Sequence, residues 1–143
     1  EDEEFAAAQT SGGYAREMSP EYQKKQAALI AQTIAKQDIV ICTALIPGRP
    51  APELISNAMV KSMKPGSVIV DLAVEAGGNC PLSKLDQVVK TKDGVTIIGH
   101  GNVAGRLAED AGDREAARRW YGRALAAAPT WKSIASRLKA LEP

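Results

Sequence analysis

The chain has 143 residues, a length that predicts one domain with a modest hydrophobic core. Hydrophobic residues make up 45% and charged residues 24%, as in ordinary globular proteins, and the net charge of +1 argues against a nucleic-acid partner. The two cysteines do not form a disulfide pattern and no apolar run is long enough to span a bilayer, so the sequence predicts a soluble protein in a reducing compartment, the cytoplasm.

The first half of the chain predicts a helix followed by a buried strand. Residues 1–18 are small, polar and glycine-punctuated, which indicates a short helix at most and then a mobile loop. A helix over residues 20–36 is predicted because Ser19 suits the N-cap and Pro20 the first helical position. Residues 39–45 form an unbroken apolar run rich in β-branched side chains, typical of a parallel strand that is buried on both faces.

The same reasoning gives the next elements in chain order: helix 53–63, strand 67–73, a weak hairpin-like stretch at 87–89, and strand 95–99. Strand, helix and strand with short connections make a β-α-β unit, whose crossover is right-handed. Ligands of such sheets lie outside the carboxyl ends of the strands. The loops at residues 43–48, 73–80 and 100–102 are therefore the candidate binding loops.

The last forty residues differ in character. They are rich in alanine and arginine and predict two helices after residue 113, the first ended by Pro129 and the second capped by Thr130. Trp120 and Trp131 are predicted to lie in the core of this pair. The predicted fold class is thus α/β: a partial Rossmann-like parallel sheet in residues 1–104, with a C-terminal α-helical pair in residues 105–143 packed on it.

Three motifs occur together in a specific order: GGYAREM at residues 12–18, TALIPGRPAP at 43–52 and VDLAVEAGGNC at 70–80. Together they resemble the alpha subunit of the Re/Si-specific, proton-translocating NAD(P) transhydrogenase, a relative of alanine dehydrogenase, over residues 1 to about 106. The resemblance implies direct hydride transfer between NAD(H) and NADP(H). The dinucleotides supply that chemistry, and the protein positions them.

The resemblance also implies a set of NAD-binding residues. In the family the first motif is a mobile loop that folds over the cofactor, and the other two motifs supply a strand end and a glycine turn beside it. Glycines permit close backbone approach, and exposed N–H groups receive polar cofactor atoms. The implied residues are Tyr14, Met18, Thr43, Ala44, Leu45, Gly77, Gly78 and Asn79. For Tyr14 and Met18 the alternative is a loop without a cofactor role.

Other chemistry-bearing residues receive no catalytic or metal-binding role. Asp71 lies at a strand end and is predicted to hydrogen-bond loop amides rather than act as a functional carboxylate. His100 has no second ligand nearby and is interpreted as a loop histidine. Glu75 stands where alanine dehydrogenase has its catalytic aspartate, which is consistent with the transhydrogenase.

Two departures from the family affect function. The chain has neither the G-x-G-x-x-G turn that holds a pyrophosphate nor the acid that holds the ribose, so NAD is expected to bind weakly or not at all and the chain is not expected to be active alone. Residues 112–125 with Pro129 resemble half of a tetratricopeptide repeat, which predicts an artificial chimera with little or no activity of its own. The alternatives are a natural piece of the transhydrogenase alpha subunit that takes part in hydride transfer, or a helix-mediated interaction module. The open edges of a short sheet predict a dimer.

Overall fold

The computed structural model describes residues 19–46, 48–127 and 129–142. The predicted cofactor loop with Tyr14 and Met18 lies outside these residues. The chain divides into two compact units, Glu1–Gly99 and His100–Pro143.

The described part of the first unit contains a four-stranded sheet in the order β1-β2-β4-β3. The strands are β1 (Ile39–Cys42), β2 (Val68–Asp71), β3 (Gln87–Lys90) and β4 (Thr96–Gly99). Strands β1, β2 and β4 are parallel, as predicted, and β3 pairs antiparallel with β4 at the predicted hairpin. The α/β, Rossmann-like fold class is therefore confirmed.

The helices of the first unit are shorter than predicted. Helix α1 (Pro20–Ile34) begins where expected, and the Tyr22 N–H donates to Ser19 Oγ at 3.2 Å. Helix α2 (Asn57–Ser62) begins four residues later than predicted and is capped by Ser56. The delay has a physical cause: the backbone N–H groups of residues 54 and 55 donate to a carbonyl in the loop after β2, which holds them out of a helix.

The core of the first unit lies on one face of the sheet, under α1 and α2. It consists of Ile34, Cys42, Ile55, Val60, Met63, Ile69, Cys80, Val95 and Ile97. The prediction that the first strand is buried on both faces is wrong, since Ile39 and Ile41 are 65% and 63% exposed. Their side chains alternate with the inward ones of Val40 and Cys42, so the apolar run reflects a second face that the described residues leave open.

The second unit, where it is described, consists of three helices, α3 (Val103–Asp110), α4 (Arg114–Ala127) and α5 (Lys132–Ala140). The last two were predicted, whereas α3 was not. Asn102 caps α3 by accepting the Gly105 N–H at 3.1 Å. Gly105 is buried, and a Cβ at this position would lie 2.5 Å from Cε1 of the Tyr121 ring. The glycine is thus required by packing rather than by a break in the helix.

The aromatic residue in the core of the second unit is Tyr121, which is fully buried and packs with the buried residues Ala117, Ile134 and Leu141. The prediction for Trp120 is wrong: its side chain is 42% exposed and stacks under the Arg123 guanidinium at 5.2 Å. Trp131 packs partly buried against the core, as predicted. It also occupies the N-cap position of α5, and no side chain of the described residues caps that helix, so the assignment of Thr130 as the cap is wrong.

Within the described ranges, no helix is both long and apolar enough to cross a membrane.

Candidate functional site

Two loops meet at the carboxyl ends of β1 and β2, where the topology predicts binding. We call residues 43–45 the β1 loop and residues 77–79 the glycine turn. The side chain of Asn79, in the glycine turn, joins the two. Its Oδ1 accepts the Ala44 N–H at 3.0 Å, and its Nδ2 donates to the Ala44 carbonyl at 3.0 Å. The side-chain amide therefore pairs with Ala44 as a neighbouring strand would.

Asn79 also holds the segment that leads into α2. Its Nδ2 donates to the Pro52 carbonyl at 2.8 Å, and its own carbonyl accepts the N–H groups of Leu54 and Ile55 at 2.9 and 3.0 Å. Asn79 is completely buried. One residue thus connects three segments: the β1 loop, the glycine turn and the approach to α2.

Asp71, the last residue of β2, holds the glycine turn through hydrogen bonds to its backbone. Its Oδ2 accepts the N–H groups of Asn79 and Cys80 at 2.9 and 3.1 Å and the Ser83 hydroxyl at 2.6 Å. Its Oδ1 accepts the Ala73 N–H at 3.0 Å, and the carboxylate is completely buried. The prediction that this carboxylate bonds loop amides is confirmed. These four accepted hydrogen bonds satisfy the buried carboxylate.

The two glycines of the turn have different reasons to be glycine. Both have positive φ, 102° at Gly77 and 86° at Gly78, a conformation that side chains disfavour. A Cβ on Gly78 would also lie 2.7 Å from Asp71 Oδ2, whereas a Cβ on Gly77 would meet nothing within 4 Å. Gly78 is therefore fitted to the carboxylate, while Gly77 faces open space.

Two cysteine thiols lie in the core beneath the loops. Both are free and buried. Burial, followed by the nearby Asp71 carboxylate, raises the pKa of Cys42 to about 11, and burial also raises the pKa of Cys80. A thiol whose thiolate is so disfavoured is a poor nucleophile and metal ligand. These cysteines are packing residues of the site.

The predicted binding residues differ in their access to a ligand. Thr43, Leu45 and Gly77 are exposed, Ala44 is half-buried, and Gly78 and Asn79 are buried. Their contact with a cofactor stays a prediction. No group of three or more potential metal ligands was found in the described part of the chain. In the second unit, the buried Nδ1 of His100 has no hydrogen-bond partner among the described residues.

Pro52 and Ser83 belong to the network although no sequence pattern indicated a role for either residue. Ser83 lies 12 residues after Asp71, and Pro52 27 residues before Asn79. Pro52 contributes a backbone carbonyl, which any residue type would supply. The proline-rich character of residues 47–52 could have suggested a role, because prolines disfavour regular structure and leave carbonyls that need partners outside a helix or strand.

The family model described as "Alanine dehydrogenase/PNT, C-terminal domain" matches residues 3–129. The chain belongs to this family. The match includes β1 to β4 and continues through α3 and α4, so it covers both loops of the site.

Individual relatives agree with the family assignment. The chain is 59% identical over 111 residues to the first part of the NAD(P) transhydrogenase alpha subunit of Rhodospirillum rubrum, covering 78% of the chain and 29% of the relative. It is 44% identical over 82 residues to alanine dehydrogenase of Bacillus subtilis, covering 54% of the chain and 22% of the relative. The crystal structure of transhydrogenase from Sinorhizobium meliloti superposes with a TM-score of 0.59 at 65% identity, covering 62% of the chain and 25% of that structure. The chain thus spans less than a third of each.

Proposed function

We propose that this chain is part of the NAD(H)-binding domain of an NAD(P) transhydrogenase alpha subunit and takes part in hydride transfer between NAD(H) and NADP(H). The observation that carries the proposal is the junction of the β1 loop and the glycine turn at the carboxyl ends of two parallel strands. This is the place where open α/β sheets bind ligands.

The chain's own contribution is the positioning of NAD(H). When bound, the nicotinamides exchange the hydride directly, so the reaction requires orientation rather than a protein acid or base. The exposed residues Thr43, Leu45 and Gly77 form the surface that would receive the cofactor. Gly77 suits this role because it leaves open space where another residue would place a Cβ.

Two observations favour a transhydrogenase over an alanine dehydrogenase. Identity to the Rhodospirillum rubrum transhydrogenase is 59%, against 44% to the Bacillus subtilis alanine dehydrogenase, and it extends over more of the chain. The sequence resemblance also implies that Glu75 stands where alanine dehydrogenase has its catalytic aspartate. The continuation of the family match to residue 129 favours a natural piece of such a subunit over a fusion with part of a tetratricopeptide repeat.

Titration of the isotope-labelled chain with NADH, followed by amide NMR, tests the proposal. We expect shifts at the amides of Thr43, Leu45 and Gly77, with a dissociation constant in the millimolar range or weaker. The pyrophosphate-binding turn and the ribose-binding acid are not found in this sequence, so the hydrogen bonds that they would make to NADH are missing. Each charge-assisted hydrogen bond contributes roughly 1.5–3 kcal/mol, and the loss of two or three of them turns a micromolar site into a millimolar one. Shifts confined to other residues, or none at all, would refute the site. A dissociation constant below about 100 μM would refute the expectation of weak binding.

We also propose that the chain self-associates through β1. This strand lies at the end of the sheet, pairs with β2 alone among the described strands, and exposes Ile39 and Ile41. The backbone groups at such an edge are a template for pairing with a second copy, which would also cover the apolar side chains on the open face. Light scattering should show a dimer, and Ile41→Lys should shift it towards monomer. A monomer at high concentration in the unaltered chain would exclude the proposal.

A further inference from the structure

We infer that Asn79 is a positioning residue, which fixes the β1 loop in the conformation that receives the cofactor and does not contact the cofactor itself. The inference rests on the proposed function, because it assigns a role within the same site. It differs from the role implied by the family resemblance, in which Asn79 approaches the dinucleotide.

Three of the four hydrogen-bonding positions of the Asn79 side chain are already used within the chain. A side-chain amide has two N–H donors and one carbonyl oxygen with two lone pairs. Both donors are taken by the carbonyls of Ala44 and Pro52, and the acceptor is engaged by the Ala44 N–H. The residue is 0% exposed. A ligand at the surface therefore has no face of this amide to reach.

Ala44 is the residue through which Asn79 acts. Both of its backbone polar groups are bonded to the Asn79 side chain, so neither is offered to a ligand. Thr43 and Leu45, on either side, are exposed. The Asn79 amide thus determines which residues of the β1 loop face outward. The loop lies beyond the end of the β1–β2 ladder, so the strand pairing of β1 does not hold it.

Asn79 is in turn fixed by contacts that owe nothing to a ligand. Its backbone N–H donates to Asp71, and its carbonyl accepts from Leu54 and Ile55. The amide is therefore held in place before any cofactor arrives. A preformed loop binds more tightly than one that must be ordered on binding, because the ordering cost is subtracted from affinity.

The test compares Asn79→Ser with Ser67→Ala in the 143-residue chain. A serine at position 79 is too short to make the two hydrogen bonds to Ala44, but Asn79→Ser leaves a small polar group and room for water. Ser67 is the matched control: it is 2% exposed, and its hydroxyl donates to the Lys64 carbonyl at 2.6 Å beside the amino end of β2. Both variants remove buried side-chain hydrogen bonds of the same sheet, at opposite ends. The free energy of unfolding is measured for both variants, so that each effect on NADH binding can be compared with the loss of stability in the same variant.

Two readouts are taken for each protein: the NADH-induced amide shifts at Thr43 and Leu45, and the hydrogen-exchange rate of the Ala44 amide. In the unaltered chain the Ala44 amide should exchange more slowly than those of its two neighbours. Asn79→Ser should accelerate that exchange at least tenfold and weaken NADH binding about tenfold. Ser67→Ala should change neither beyond what its loss of stability explains.

The outcomes separate the two claims. Unaltered binding in Asn79→Ser, or losses of binding that follow stability equally in both variants, would overturn the inference and leave the proposed function standing. Failure of the unaltered chain to show NADH-induced shifts would overturn the proposed function instead. The exchange experiment decides the inference in that case too, because it needs no ligand: an Ala44 amide that exchanges as fast in the unaltered chain as in Asn79→Ser overturns it.

Discussion

Replacement of Asp71 by asparagine is expected to destabilise the first unit strongly. The buried carboxylate accepts four hydrogen bonds, three at Oδ2 and one at Oδ1. An asparagine has a single acceptor oxygen. If that oxygen takes the place of Oδ2, the new NH₂ group faces the Ala73 N–H and leaves it without an acceptor.

The magnitude follows from these contacts. One buried donor left without a partner costs about 1–3 kcal/mol. The three remaining bonds become neutral, and charge-assisted bonds are about twice as strong as neutral ones. Together the two effects give a loss of about 3–7 kcal/mol, a large part of the roughly 5–15 kcal/mol that stabilises a domain.

Asp38→Asn is the matched control, because it makes the same chemical change just before β1. Asp38 accepts from Lys64 Nζ at 2.9 Å, but the two side chains are 79% and 52% exposed. Such a pair contributes about 0–1 kcal/mol.

Urea unfolding should be followed through the amide NMR signals of β2 and β4, since both tryptophans lie in the second unit. The reasoning is refuted if Asp71→Asn and Asp38→Asn lower the free energy of unfolding equally, within about 0.5 kcal/mol.

Three further predictions concern other contacts. Gly78→Ala should lower the free energy of unfolding more than Gly77→Ala, because both alanines are strained at positive φ by about 1–2 kcal/mol but only the first meets the Asp71 carboxylate; equal losses would contradict this. The second unit should lose stability at both pH extremes. The hydrogen bond from Tyr121 lowers the pKa of Glu109 from 4.5, so stability is lost as the pH falls below that value. Burial, followed by the hydrogen bond to Glu109, raises the pKa of Tyr121 from 10.0 to about 12, so stability is lost as the pH rises through that range. Circular dichroism against pH checks both, and Tyr121→Phe should abolish the alkaline loss. Finally, the raised pKa of Cys42, about 11, and its burial predict slow reaction with a thiol reagent at about pH 8 until urea is added; rapid reaction of the folded chain would disprove it.

The strand positions could be predicted from sequence, but the strand ends could not. Runs of β-branched residues mark β1, β2 and β4 because only a sheet accommodates them well. The first run continues beyond Cys42, and no residue from 43 to 45 predicts an end of the strand. It ends as a strand because Ala44 pairs with a side chain 35 residues away rather than with β2. A long-range contact of this kind leaves no trace in a local pattern.

Helix α3 was missed for a related reason. Gly105 lowers helix propensity, so the local sequence gives little indication of a helix there. The observed helix is stabilised by the Asn102 cap, and the glycine is explained by the Tyr121 ring packed against it. The cap was visible in the sequence, whereas the ring contact belongs to the tertiary structure, which overrides propensity.

The position of the site could be predicted from the sequence, but the hydrogen bonds that hold its loops in place could not. Parallel strands with short crossovers fix where the two loops must meet, and the motif resemblance identified the same residues. Only the structure shows which residue of the site holds which other residue in place. Asp71 holds the backbone of Asn79, Gly78 makes room for that carboxylate, and Asn79 then holds Ala44. Each step uses buried groups of the first unit alone. The exposed residues that would meet a cofactor are therefore shaped by side chains the cofactor does not touch.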